Sequence, residues 1–281
     1  MRAIRTWAAA CVISLAALGA AAAQVATAEK PAAPSAYVPQ SGQAGKDVVW
    51  VPSPQALVDR MLDMGGATKE DYLIDLGSGD GRTVITAAKR GIRALGVEYN
   101  PDLVALSLKA AEEAGVSDRA KFVQGDIFET NFSEATLLTL FLLPDLNLRL
   151  RPTILEMKPG TRVVSNTFTM GDWNPDQSID AGGDCTSFCR AHKWVVPAKV
   201  GGTWRLPDGS EMKLTQKYQT FTGTFTSGGK EVAVRDGRLD GTAISFSVGD
   251  ARYAGQVNGT RIEATSPDGK SQSWTGVLSG T

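Results

Sequence analysis

Histidine is almost missing from this 281-residue sequence, His192 being the only one, and cysteine occurs three times, at Cys11, Cys185 and Cys189. So few soft ligands, at a spacing that matches no zinc pattern, give no grounds for a metal centre. A Ser/His/Asp set of the kind used in covalent hydrolysis does not stand out either. Neither sign of charge dominates: 29 Lys and Arg face 30 Asp and Glu, for a net charge of −1. That balance excludes a broadly basic nucleic-acid binder and an acidic disordered chain. With 42% hydrophobic and 21% charged residues the composition is that of a globular protein, long enough for one large domain or two modest ones.

Long apolar runs are scarce as well, and the clearest one lies at the start. Arg2 and Arg5 precede the apolar stretch from Trp7 to Leu18, and the small residues Ala20 to Ala23 follow. This is the order of a secretory signal with cleavage after Ala23. An uncleaved signal would instead leave the protein membrane-anchored. Both readings put the remainder outside the inner membrane, periplasmic or secreted, with no further membrane contact. Cleavage removes Arg2, Arg5 and Cys11 but no acid, moving the net charge from −1 to −3. Residues 24–46, rich in Ala, Pro, Ser, Gln and Gly, read as a flexible tether. Cys185 and Cys189 could form a short disulfide, stay as thiols, or join His192 around a metal.

From residue 47 strands and helices alternate. Ser53-Pro54 is a helix start with a capping hydroxyl, and Gly65-Gly66 ends that helix. Tyr72–Leu76, Ala94–Val97, Lys121–Gln124, Thr136–Leu142 and Arg162–Ser165 read as five strands. Helices lie between them at Arg82–Arg90, from Asn100-Pro101 to Gly115, and at Leu146–Met157, broken or restarted at Pro152. This is the pattern of an α/β fold with a parallel sheet, whose ligands bind beyond the carboxyl ends of its strands.

Those strand ends carry the chemistry. DLGSGDGR (Asp75 to Arg82) follows the first strand, its glycines permitting a sharp turn and close approach to a ligand. Glu98 ends the second strand, placed to accept hydrogen bonds from both hydroxyls of a ribose. Asp126, after the third, can accept from an adenine exocyclic amine. Asp75 either braces the glycine turn or meets the ligand itself.

With these motifs the chain resembles the class I S-adenosylmethionine-dependent methyltransferases. Within them it resembles bacterial relatives of the mitochondrial protein-lysine methyltransferases of the adenine nucleotide translocase and ATP synthase c-subunit type. The matching segments are VWVPSP (Val49 to Pro54), DLGSGDGRTVITAAKRG (Asp75 to Gly91), GVEYNPDLV (Gly96 to Val104), GDIF (Gly125 to Phe128), LFLLPDLN (Leu140 to Asn147), MKPGTRVVS (Met157 to Ser165) and GDWNPD (Gly171 to Asp176). The resemblance implies a Rossmann-like class I methyltransferase domain over residues 47–198. It implies S-adenosyl-L-methionine as cofactor, bound by Asp75, Gly77, Ser78, Gly79, Asp80, Glu98, Tyr99, Gln124, Gly125, Asp126 and Ile127. Trp50, Pro52 and Pro54 would lie over the methionine end or the substrate entrance, and Pro144 and Asn147 beside the transferred methyl. The implied partner is a protein lysine rather than a nucleic acid, and the sequence assigns no oligomeric state. A neutral lysine amine would call for an aromatic pocket, with Trp50, Tyr99, Phe168 and Trp173 as candidate walls and Asp172 as candidate proton acceptor.

Beyond Gly201 helix formers thin out and turn pairs recur: Asp208-Gly209, Gly228-Gly229, Asp236-Gly237, Asn258-Gly259 and Asp268-Gly269. They predict an antiparallel β module over residues 199–281, a small barrel or half-barrel of six to eight strands with Trp204, Phe246, Tyr253 and Trp274 in its core. A first strand around Trp194 to Pro197 could instead complete the methyltransferase sheet. Two other functions compete with methyl transfer. One is an exported non-catalytic nucleotide-binding scaffold carrying a β binding module, which should have lost the strand-end acids. The other is a nicotinamide-dependent oxidoreductase, whose glycine spacing GSGDG does not provide.

Overall fold

The computed structural model describes residues 37–183, 185–265 and 273–280. The signal segment 1–23, the tether up to residue 36 and Asp268-Gly269 lie outside the described residues.

The first half builds one seven-stranded sheet. Its elements are α1 (Gln55–Met64), β1 (Tyr72–Leu76), α2 (Arg82–Lys89), β2 (Arg93–Glu98), α3 (Pro101–Glu113), β3 (Ala120–Gln124), β4 (Leu137–Leu140), α4 (Pro144–Leu155), β5 (Arg162–Asn166), β6 (Gln177–Asp180) and β7 (Arg190–Val195). The strand order is β3-β2-β1-β4-β5-β7-β6, with β1 to β5 parallel and β7 antiparallel to both its neighbours. In the central strands YLIDL and LLTL, successive side chains enter opposite apolar layers. Leu73 and Leu137 pack with Leu57, Leu62 and Val84 on one face, while Ile74 and Leu138 pack with Leu150, Ile154 and Trp194 on the other. Burial on both faces explains why these strands are apolar runs without alternation. β6, at the edge, carries no comparable run and was not anticipated; β7 includes Trp194 and joins the sheet between β5 and β6.

Helix starts differ in one respect from expectation. Asn100 caps α3, its Oδ1 accepting from Asp102 N at 2.9 Å. Ser53 does not cap α1: that helix begins after Pro54, and the Ser53 hydroxyl accepts from Asn166 Nδ2 at 3.0 Å. α4 starts earlier than expected, at Pro144 in its first turn, and runs through Pro152 without a break.

The second half is a closed eight-stranded antiparallel barrel. It comprises β8 (Gly202–Arg205), β9 (Glu211–Lys217), β10 (Thr220–Ser227), β11 (Lys230–Asp240), β12 (Ala243–Val248), β13 (Ala251–Asn258), β14 (Arg261–Thr265) and β15 (Trp274–Gly280), with β8 joining β15 to β9. Closure leaves no unpaired sheet edge. Trp204, Met212, Leu239, Ile244, Phe246 and Ile262 fill the interior, with Tyr253 partly buried against them; the side chain of Trp274 lies outside the description. Asp236-Gly237 is not a hairpin turn. It falls inside β11 at a register shift between Arg235 and Arg238, with Asp236 at φ 52°. A bulge needs the same positive-φ tolerance as a tight turn, so the dipeptide signals both.

The barrel is joined to the sheet domain through the β9–β10 turn. Tyr218 stacks on Trp173 at 5.9 Å, its hydroxyl donates to Asp172 Oδ1 at 2.8 Å, and Gln219 Nε2 donates to the Asn174 carbonyl at 2.8 Å.

Candidate active site

A cavity of about 200 Å³ opens at the carboxyl ends of β1, β2 and β4. Its floor is the turn between β1 and α2. Gly77, Gly79 and Gly81 all have positive φ, at 79°, 55° and 78°. At Gly79 a Cβ would sit 2.5 Å from Trp50 Nε1, so both the backbone conformation and the close approach of the indole demand glycine. The turn is fastened to β2: Gly77 N and Ser78 N donate to the Val97 carbonyl at 2.8 and 3.0 Å, and Gly79 N donates to Glu98 Oε2 at 2.9 Å. Glu98 Oε1 accepts from Asn100 N at 2.9 Å, so this carboxylate orders the glycine turn and the start of α3 together.

Asp75 lies beneath the turn and is buried. Burial, with Glu98 and Asp80 nearby, pushes its carboxyl up to about 7, against the pull of a 2.6 Å hydrogen bond donated by Thr139 Oγ1. Asp80 is held by Arg82, whose Nε donates at 2.9 Å, while another arm of that guanidinium donates to the Ser53 carbonyl at 2.8 Å. At the β3 side, Asp126 Oδ1 accepts from Phe128 N at 2.9 Å and Oδ2 pairs with Lys46. The hydrogen bond from Lys46 holds the Asp126 carboxyl below its ordinary range.

The roof is a strap that sequence composition disguised as tether. Gly42 N donates to the Trp50 carbonyl at 2.8 Å and Trp50 N to that of Gln43 at 2.9 Å, closing a backbone loop. Gln43 to Lys46 line the cavity, with the Lys46 ammonium 5.0 Å from the Tyr99 ring centroid. Residues 43–46 are therefore part of the site, held by the turn to Trp50 and by the pairing of Lys46 with Asp126 eighty positions away.

Most of the expected binding residues meet in this one cavity: Asp75, Gly77, Ser78, Gly79, Asp80, Glu98, Tyr99, Gly125, Asp126 and Ile127, under Trp50 and Pro52. Others do not line it. Gln124 donates through Nε2 to the Tyr99 carbonyl at 3.3 Å, a supporting position, and Pro54 is the residue before α1. Pro144 lies in the first turn of α4, and Asn147 is buried beneath the loop after β5, donating to the Phe168 and Thr169 carbonyls at 3.4 and 3.3 Å.

Two expectations are corrected. Trp173 is fully buried between Trp194 and Tyr218 and forms no wall of the cavity. Asp172 also lies off the cavity, and Tyr218, Lys217 and Arg151 surround its carboxylate and hold it at about 2, so it is not placed to take a proton from an acceptor there. The other candidate walls, Trp50, Tyr99 and Phe168, do line the cavity. What sequence reasoning missed is that Phe141 and Phe188 join Phe168 at one aromatic end, with centroids 5.1 to 6.5 Å apart. Cys185 and Cys189 are joined in a disulfide, so neither is a thiol or a metal ligand, and His192 Nδ1 pairs with Ser178 Oγ at 2.8 Å.

These residues fit S-adenosylmethionine. Asp75, Glu98, Asp126 and Ile127 line the cavity along successive strand ends, where the resemblance assigns Glu98 to the ribose hydroxyls and Asp126 and Ile127 to the adenine. At Gly79 the bare backbone faces the cavity, because the indole of Trp50 leaves no room for a Cβ there. The comparisons agree. The profile of the ANTKMT methyltransferase domain matches residues 75–177. A protein-lysine N-methyltransferase of Saccharolobus islandicus is 45% identical over 135 residues, covering 47% of this chain and 84% of that protein. A Mus musculus lysine N-methyltransferase of the ATP synthase c-subunit is 40% identical over 113 residues, 40% of this chain but only 46% of the mouse protein. A crystal structure described as an RNA methyltransferase of Salinibacter ruber with S-adenosyl-L-homocysteine is 47% identical, with a TM-score of 0.50 over 53% of this chain and 96% of that one. A cavity built for an adenosyl sulfonium and these relatives lead to one conclusion: the chain belongs to the ANTKMT-type family of S-adenosylmethionine-dependent protein-lysine methyltransferases.

Proposed function

We propose that this protein methylates a protein lysine outside the inner membrane. The observation that carries the reading is the polarity of the cavity, with Asp75, Glu98 and Asp126 along one side and Phe141, Phe168 and Phe188 at the β4–β5 end. The cofactor supplies a methyl group on a sulfonium, open to in-line displacement by an amine. The remaining work is positioning, which the glycine turn, Glu98 and the Trp50 strap perform by fixing the donor's direction. A lysine amine must be neutral to attack, and from a reference pKa of about 10.4 its deprotonation at pH 7 costs about 4.6 kcal/mol. Phenylalanine rings offer no hydrogen bond to an ammonium, so a cavity end made of them lowers that cost by disfavouring the charged form. An RNA acceptor, named for the Salinibacter relative, fits less well a chain whose net charge is −1.

The location rests on the signal pattern of residues 1–23 and on the Cys185–Cys189 disulfide, a bond that persists in oxidising compartments. Mass spectrometry of envelope proteins from a deletion strain tests substrate and location together. Methyllysine should vanish from one or a few envelope proteins, returning with the wild-type gene but not with Glu98→Ala. An unchanged set of envelope methyllysines would contradict the proposal.

A further inference from the structure

The connection between β6 and β7, described at residues 181–183 and 185–189, lies at the cavity end of the sheet because β7 runs antiparallel to β5. Little packs it. Gly182 and Gly183 have open space where a Cβ would stand, and the backbone bonds holding the loop are Ala181 N to the Cys189 carbonyl at 2.7 Å and a long 3.4 Å contact from Cys185 N to Gly182. The disulfide closes the loop tip, with its two Cα atoms 5.7 Å apart.

Between the two cysteines stands Phe188. Its φ is 53°, a conformation costly for a bulky side chain, and its side chain is 37% exposed although large and apolar. Packing stability alone does not account for a strained, half-wet aromatic. The ring does, however, enter the cavity, meeting Phe141 edge-on at 5.1 Å and Phe168 at 6.5 Å. The adenosine-binding acids belong to β1, β2 and β3, so this corner past β4 and β5 is where an acceptor must come in.

We propose that Phe188, presented by the Cys185–Cys189 loop, is the outer wall of the acceptor channel and contacts the alkyl stem and amine of the incoming side chain. This rests on reading the cavity as a lysine-methylating site. Phe141 and Phe168 follow closely on β4 and β5, whereas Phe188 sits in the loop that the disulfide closes, so the third wall depends on that bond. Three rings around one corner suit the alkyl stem and neutral amine by apolar contact, and a methylated, weakly hydrated ammonium by cation–π attraction.

The test is calorimetry of the full protein saturated with S-adenosylhomocysteine, titrated with butyltrimethylammonium as a mimic of the lysine stem and head. Phe188→Ala should weaken this probe at least about tenfold, and so should the double variant Cys185→Ser/Cys189→Ser. Phe188→Tyr should keep it within about twofold. S-adenosylhomocysteine should bind all of them within about twofold of wild type, which reports an intact fold and donor site. If the wild type binds the probe and Phe188→Ala binds it equally, the wall is wrong while the lysine reading stands. If the wild type instead binds uridine, and Phe188→Ala loses it, the wall stands and the lysine acceptor is wrong. Binding of neither probe overturns both.

Discussion

Replacing Glu98 with alanine should weaken S-adenosylmethionine and S-adenosylhomocysteine alike, at least about tenfold, or 1.4 kcal/mol. Two losses add. The ribose forfeits a charged acceptor, and Gly79 N and Asn100 N lose the carboxylate that joins the glycine turn to the start of α3. Glu98→Gln, which keeps one acceptor oxygen, should fall between wild type and alanine. The two ligands should suffer equally because the ribose is common to both. Titration calorimetry reads the effect directly, and an unchanged affinity in the alanine variant would remove Glu98 from the donor site.

Asp75→Asn should act in a different way, through pH. With its folded carboxyl at about 7 against an ordinary 3.8, the folded protein holds a proton that the unfolded chain releases. The stability contributed by Asp75 is therefore fully present below about pH 3.8 and is lost as pH rises through about 7. The difference of roughly three units is worth about 4 kcal/mol. Asparagine stays neutral and can still accept from Thr139, so its gain in unfolding free energy should grow from near zero at pH 4 to about 4 kcal/mol at pH 8. Denaturant titration at the two pH values checks this; a constant difference would contradict it. The same carboxylate favours the sulfonium over its uncharged product. The ratio of S-adenosylmethionine to S-adenosylhomocysteine affinity should rise through pH 7 in the wild type, by about tenfold, and stay flat in the variant.

The donor half of the site was legible because its signals are local. An apolar strand, a glycine turn and an acid at the next strand's end lie within a few residues of their neighbours in space, and Asp75, Glu98 and Asp126 do meet in one cavity. The acceptor half depends on distant contacts. Trp173 looked like a wall, but its direction is set by Tyr218, from a barrel turn forty-five residues later in the chain. Asp172 looked like a base until Arg151, Lys217 and Tyr218 closed around it. Phe188 belongs to no periodic segment, and nothing in the local sequence says which way a disulfide loop will point it. Residues 37–46 lack the apolar content that marks ordered chain; Lys46 meets Asp126 across eighty positions. In the barrel, turn pairs spaced along alternating strands gave the architecture, while Asp236-Gly237 shows that the same dipeptide serves a bulge.

The central claim is that one crevice at the ends of β1, β2 and β3 grips the adenosyl donor. A crystal structure of the protein with S-adenosylhomocysteine tests it most directly. The account predicts ribose hydroxyls on Glu98, adenine beside Asp126 and Ile127, and the homocysteine sulfur directed toward Phe141, Phe168 and Phe188. Ligand bound elsewhere, or with its adenine among those phenylalanines, would contradict it.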